Sequence, residues 1–320
     1  MIAYGIRAAS SHNMQPWLVK PLNADTIELY ADMDKALQVV DGDYKQFLLS
    51  QCTFLESYKM GALQHGYGVD ISYNEPDFNE ESPLIATVNV YKEDARNTVD
   101  AISSCTYGSE KIHENTDLGK TLDDCIAEFP GFKYSIIETN PEVDKLENLL
   151  LEATVIESKD EAATKELLDV FRWTEWQKNE YRYGLSLNSM SGALKPFIQP
   201  IMKASSNNWE AFGDSGISQF KDRLSKQSKY ILLKFDKPSS LEYLYGGQIY
   251  QKLIFELNGY VLRPAMQALE NFDAMKDLNQ QFQKEYGEDG EVIWIICLQD
   301  KTGKSMKSNP RHLVKDIIIQ

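Results

Sequence analysis

The chain is short of cysteine, of positive charge and of long apolar runs, and it has no glycine-rich phosphate loop. Its four cysteines, Cys52, Cys105, Cys125 and Cys297, stand singly. With no C-x-x-C pair and no histidine at metal-ligand spacing, they exclude a disulfide scaffold and a zinc module and read as free thiols. The longest clearly apolar run, Val292 to Leu298, is far short of the roughly 20 residues that cross a bilayer, and no secretory apolar region opens the chain. No membrane partner is expected, and a soluble, reducing compartment follows, most simply a bacterial cytoplasm. Lys and Arg number 33 against 48 Asp and Glu, a formal charge of −15. That field repels phosphate backbones, and the basic residues are scattered among acids, so nucleic acid is excluded in favour of a small molecule. The absence of G-x-G-x-x-G excludes a dinucleotide held in a Rossmann turn.

What is present is an ordinary globular mixture, 42% hydrophobic and 25% charged over 320 residues, enough for one large domain or two small ones. Periodicity and the Gly and Pro punctuation predict an α+β chain of alternating helices and short strands. Residues 17–20 and 26–30 read as a strand pair across the Pro21 to Asp25 turn. Tyr44 to His65 reads as a long helix with a wide apolar face, ending at Gly66 or Gly68. Val69–Tyr73 and Leu84–Tyr91 alternate as strands, and Asn97 to about Met202 reads as mostly helical with one strand near Lys133–Glu138. Tyr230–Phe235 is a predicted strand, Leu241–Leu257 a long helix, Val292–Leu298 a buried strand and Asp316–Ile319 a last extended piece. Met1 to Ala9 gives little more than two helical turns, as though part of a first helix were missing.

Both long helices close on the same signature, His65-Gly66-Tyr67 and Asn258-Gly259-Tyr260. Glycine follows many helix ends, so the recurrence is either coincidence or the trace of an internal duplication. A duplication predicts two related halves, drawn here as residues 1–150 and 151–320, with a ligand site between them, where clefts favour binding.

The stretch richest in chemistry is Arg7-Ala8-Ala9-Ser10-Ser11-His12-Asn13-Met14-Gln15-Pro16-Trp17. Hydroxyls, an imidazole and two amides crowd into one loop, with Arg7 able to clamp an anion bidentately. The pattern suits a planar, polar-edged ligand carrying a phosphate. It also suits a turn in which Ser11 and Asn13 cap their own backbone and Trp17 is simply buried.

The run S-x-H-N-x-Q-P-W resembles the flavin-binding signature of the FMN-dependent nitroreductase superfamily, and the eleven residues from Arg7 to Trp17 resemble its Acg-type branch. Tyr245 to Leu253, continuing through Asn258 to Gln267, resembles the family's late helix and following loop, and Asn309 to Val314 its terminal Pro-Arg element. The resemblance implies a nitroreductase-like fold of two related halves forming a pseudo-dimer within one chain, as a monomer or weak homodimer, with FMN held non-covalently between them. By position it implies that Arg7, Ser10, Ser11, His12, Asn13 and Gln15 surround the phosphate, ribityl chain or ring edge, that Arg311 is a second phosphate ligand, and that Pro264 and Ala265 line a face of the ring. The implied activity is two-electron, ping-pong transfer from NAD(P)H to a nitroaromatic, quinone or similar acceptor, with the flavin carrying the chemistry and no catalytic side chain or metal required. The alternative is a protein that sequesters FMN with little turnover.

Departures from the pattern are Ala9 where the family has proline, the short leading segment, and Ser104-Cys105-Thr106-Tyr107-Gly108 where an Arg-x-Thr-x-Arg element is expected. Trp173, Trp176, Tyr181 and Tyr183, with Arg172 and Arg182, form an aromatic cluster that reads as core packing or as a lid over the flavin. Gly213-Asp214-Ser215-Gly216 imitates a protease nucleophile turn without its histidine context, and His113 between Glu110 and Glu114 reads as a solvated helix start rather than a metal site.

Overall fold

The computed structural model describes residues 1–74, 78, 80–81, 83–95, 117–186, 208–224, 229–257, 259–300 and 309–320. The 104–108 element and His113 lie outside them. In chain order the elements are α1 (Ile2–Gly5), β1 (Trp17–Pro21), β2 (Thr26–Ala31), α2 (Lys45–Gln64), β3 (Tyr67–Tyr73), β4 (Leu84–Lys92), α3 (Leu118–Ile126), β5 (Lys133–Ile137), α4 (Asn140–Lys159) and α5 (Glu161–Asp169). They continue with β6 (Phe171–Arg172), α6 (Glu175–Tyr181), β7 (Leu185–Ser186), α7 (Trp209–Leu224), β8 (Lys229–Phe235), α8 (Ser240–Glu256), β9 (Tyr260–Pro264), α9 (Lys276–Tyr286), β10 (Glu291–Asp300) and α10 (Val314–Ile317). The chain is α+β.

Two four-stranded antiparallel sheets have orders β1-β2-β4-β3 and β5-β8-β10-β9. Written as first to fourth strand of each set, the order is the same in both, and in both a long helix joins the second strand to the third. β5 precedes residue 150 yet belongs to the second sheet. Gly66, left-handed at φ 77°, turns α2 directly into β3; Gly259 stands between α8 and β9.

The periodicity of α2 is nearly lost because every residue from Phe47 to Tyr58 is buried. A helix covered all round belongs at the centre of a core. It lies against α8, and residues of both helices share one core cluster with Trp17, Val19 and Val88 of the first sheet and Ile231, Leu233 and Ile296 of the second. The helices approach so closely that a Cβ on Gly247 would stand 2.1 Å from the Leu49 carbonyl oxygen. The far face of the second sheet, with Leu232, Ile295 and Val292, packs on α4 and α9 through Leu146, Leu150 and Phe282. β8 and β10 are covered on both faces, which is why they read as unbroken apolar runs.

The chain's end corrects one expectation. Asp316–Ile319 is not extended: Val314–Ile317 forms a helical turn in which Asp316 Oδ2 accepts from Leu313 N at 2.9 Å. Only Ile318 bridges to Val19, with Ile319 N donating to Val19 O at 3.0 Å. This edge contact on β1 brings residues 309–313 beside the Arg7–Trp17 loop. α7, α9 and β9 were not anticipated. No helix among the described residues is long and apolar enough to cross a membrane.

Candidate functional site

The Arg7–Trp17 loop folds into a 3-10 turn at Ser11–Asn13 in which His12, Asn13 and Gln15 all adopt positive φ, at 45°, 56° and 53°. Each left-handed non-glycine residue costs of the order of 1–3 kcal/mol and persists only where its surroundings fix it. From below, α2 does so: Ser50 Oγ accepts from Ser11 N at 3.0 Å, Thr53 Oγ1 donates to Ala9 O at 2.6 Å, and Gln51 Nε2 donates to Pro16 O at 2.9 Å. Trp17 Nε1 donates to Ser50 O at 2.8 Å, and Gln251 of α8 accepts from Ala9 N at 3.2 Å.

From the other side, the loop is tied to the segment after α6 and to the C-terminal strap. Gln15, 1% exposed, donates from Nε2 to Arg182 O at 2.8 Å and accepts from His312 N at 2.9 Å. Asn13 Nδ2 donates to Pro310 O at 3.1 Å and Gly184 O at 3.2 Å, while its Oδ1 accepts from Arg311. Arg311 also donates to the Arg7 carbonyl at 3.3 Å.

Above this framework lies a cavity of about 420 Å³, within the range of small-molecule sites. One wall is the loop with Ser50 and Thr53 of α2. Another is Arg263, Pro264, Met266, Gln267 and Glu270, after and within β9. Trp294 of β10 and Tyr250 of α8, their rings stacked at 4.2 Å, form a third, and Arg311 with Asn309 a fourth.

Four residues that line this space each carry a buried polar atom with no hydrogen-bond partner among the described residues: His12 Nδ1, Gln267 Oε1, Glu270 Oε2 and Trp294 Nε1. Native interiors satisfy almost all such atoms, so donors and acceptors concentrated on one cavity mark a place built for a polar ligand. Desolvation of the half-buried Arg311 guanidinium, with Arg7 nearby, lowers its pKa to about 10, and no carboxylate among the described residues pairs with it. A desolvated guanidinium with no acid partner among the described residues suits an anion. Burial lowers His12 to about 4 and, helped by Lys35, His312 also to about 4, so both imidazoles are neutral at pH 7.

Of the residues expected around a ligand, Ser10, Ser11, His12, Asn13, Pro264 and Arg311 line the cavity. Arg7, Gln15 and Ala265 do not: the Arg7 carbonyl is taken by Arg311, the Gln15 amide knots three segments together, and Ala265 is buried behind Pro264 with its N donating to Ile295 O at 2.9 Å. Ser50, Thr53, Gln267, Glu270 and Trp294 were missed. Their only signal in the sequence is as polar side chains inside otherwise apolar elements.

Of the aromatic cluster only Trp173 is buried, while Trp176 and Tyr181 are 65% and 41% exposed. Trp173 stacks on Phe171 at 4.4 Å, the Arg172 guanidinium sits 4.8 Å from the Tyr181 ring and 4.6 Å from Tyr183, and none of the four aromatics lines the cavity. Gly213-Asp214-Ser215-Gly216 lies within α7, with Gly213 pressed against the Ser158 carbonyl, so no strained nucleophile turn exists there. Among the described residues no group of three or more His, Cys, Asp or Glu could hold a metal. In comparisons with family models and with curated proteins, the chain matches none.

Proposed function

We propose that the cavity is an FMN site and that the protein is a nitroreductase-like oxidoreductase of two related halves, transferring two electrons from NAD(P)H to a nitroaromatic, quinone or similar acceptor. The observation that carries this reading is the strained Ser11–Gln15 loop, whose Asn13 holds a half-buried Arg311, with no acid partner among the described residues, at the wall of a cavity lined by residues with unpartnered polar atoms. The equal strand order of the two sheets supports the reading of two halves, with the cavity flanked by elements of both.

The donor set fits the cofactor. Arg311 would meet the phosphate, and Ser10 and Ser11 the phosphate or ribityl hydroxyls, in charge-assisted and neutral hydrogen bonds. Pro264 and Met266 offer apolar surface to a ring face, while Trp294 Nε1 is a donor and Gln267 Oε1 an acceptor for a polar ring edge. FMN, when bound, supplies the hydride-accepting and two-electron-donating chemistry. The protein's own role is to bind, to orient through a loop fastened to α2 and the C-terminal strap, and to keep the neutral His12 and the apolar walls around the reacting face. A separate storage function would call for a lid, and the aromatic cluster stands outside the lining.

The test is anaerobic mixing of FMN-loaded protein with NADH or NADPH. Bleaching of the oxidised flavin band by either nicotinamide, and its return on adding a quinone, is the expected result. A bound flavin that neither nicotinamide reduces would leave a binding protein and remove the enzyme.

A further inference from the structure

Gln267 and Glu270 stand three residues apart across the 3-10 turn that follows β9, and both line the cavity. Gln267 Oε1 and Glu270 Oε2 are buried and without a hydrogen-bond partner among the described residues, and Glu270 as a whole is 6% exposed. The charged groups that act on Glu270 among the described residues are of its own sign: Glu157 on α4, which shares the cavity wall, Asp41 in the loop before α2, and Glu166 on α5. Asp41 accepts from Gln46 N and Phe47 N at 2.9 and 2.7 Å, and Glu166 from Val39 N and Val40 N at 2.9 and 3.1 Å. Of the cavity's arginines, neither Arg263 nor Arg311 forms an ion pair with Glu270 among the described residues.

A carboxylate placed here would be stripped of water, without a cation among the described residues, and close to Glu157 and Glu166, while Asp41, itself raised to about 8 by burial, adds its charge only at higher pH; a carboxylic acid escapes these costs. Burial and those neighbours raise the Glu270 pKa well above the ordinary value. A protonated carboxyl offers an O–H donor, and the Gln267 amide oxygen beside it offers an acceptor.

We propose that Gln267 and Glu270 form a ligand-selecting pair, Glu270 donating as a neutral acid to a ring carbonyl or ring nitrogen and Gln267 accepting from an adjacent ring N–H. The chemical class selected is a planar heterocycle whose edge carries C=O beside N–H, and an anionic group is turned away from that wall towards Arg311. This assignment rests on the flavin reading, because FMN carries both the anion and such an edge.

The experiment titrates FMN against wild type, Glu270→Gln and Glu270→Ala from pH 6 to 9, and records the infrared carbonyl band of protonated carboxyl groups in ligand-free protein. Glu270→Gln keeps a neutral donor of the same shape and is expected to hold FMN within about threefold of wild type at pH 7, whereas Glu270→Ala loses roughly tenfold, the worth of one buried hydrogen bond. Wild-type affinity falls as pH rises through the ionisation of the acid, and that fall is absent in Glu270→Gln. At neutral pH the infrared difference between wild type and Glu270→Gln contains a protonated-carboxyl band. Its absence, wild-type affinity in Glu270→Ala, or an unchanged pH profile in Glu270→Gln each overturns the assignment while leaving the flavin reading intact. Failure of wild type to bind FMN overturns both.

Discussion

Arg311 is the residue on which the binding account turns. Its guanidinium is half-buried and desolvated, it donates to the Asn13 amide oxygen and the Arg7 carbonyl, and no acid among the described residues neutralises it. A phosphate arriving there gains charge-assisted hydrogen bonds and relieves an uncompensated charge, worth about 1.5–3 kcal/mol. Arg311→Ala is therefore expected to weaken FMN binding by roughly ten- to a hundredfold. Arg311→Lys should fall between, since a lysine keeps the charge without the planar fork. Fluorescence titration reads both, and wild-type affinity in Arg311→Ala would remove the residue from the site. Asn13 acts differently, because both ends of its amide are occupied in tying the loop to Gly184, Pro310 and Arg311.

Among the elements, the α2–α8 crossing sets the shape of the cavity. Leu49 and Ser50 of α2 line it, and their backbone passes α8 at Gly247, where any Cβ would collide with the Leu49 carbonyl at 2.1 Å. A carbonyl inside a helix cannot swing aside as a side-chain tip can. Gly247→Ala should therefore cost stability at the upper end of the 1–3 kcal/mol typical of overpacking and loosen the Ser50 hold on the loop. The control is Gly216→Ala in α7, where the nearest atom to a new Cβ is Ser158 Oγ at 3.5 Å. With that space, helix propensity favours alanine by up to about 1 kcal/mol. Thermal unfolding of the two variants should move in opposite directions, and equal tolerance of both would contradict the close crossing.

Elements also differ in how well the sequence announced them. β1, β2, α2, β3, β4, β8, α8 and β10 were legible because their apolar residues follow a clean period or an unbroken run between turn residues. α9 was not, because it buries only Leu278 and Phe282 among polar neighbours. β9 is five residues long and half-buried without alternation, so although Gly259 marks its start no period of two announces a strand. The loop half of the site was legible in the crowding of polar side chains around His12 and Asn13. Of the opposite wall, Pro264 was expected from the family resemblance and lines the cavity, whereas Gln267, Glu270 and Trp294 acquire meaning only when β9 and β10 are folded against α2.

In the molecule as a whole, two sheets of one strand order enclose two central helices, and the C-terminal strap crosses back to β1 to deliver Arg311 to a loop some 300 residues earlier in the chain. The acidic surface implied by a net charge of −15 makes that delivery necessary, because a phosphate can be held only where local arginines overcome the global field. The most direct measurement is the visible absorption spectrum of the protein after incubation with excess FMN and desalting. Oxidised-flavin bands that stay with the protein fraction are the predicted result. Colourless protein at every FMN concentration tried would contradict the account, leaving the strained loop and the desolvated Arg311 guanidinium in want of another anion.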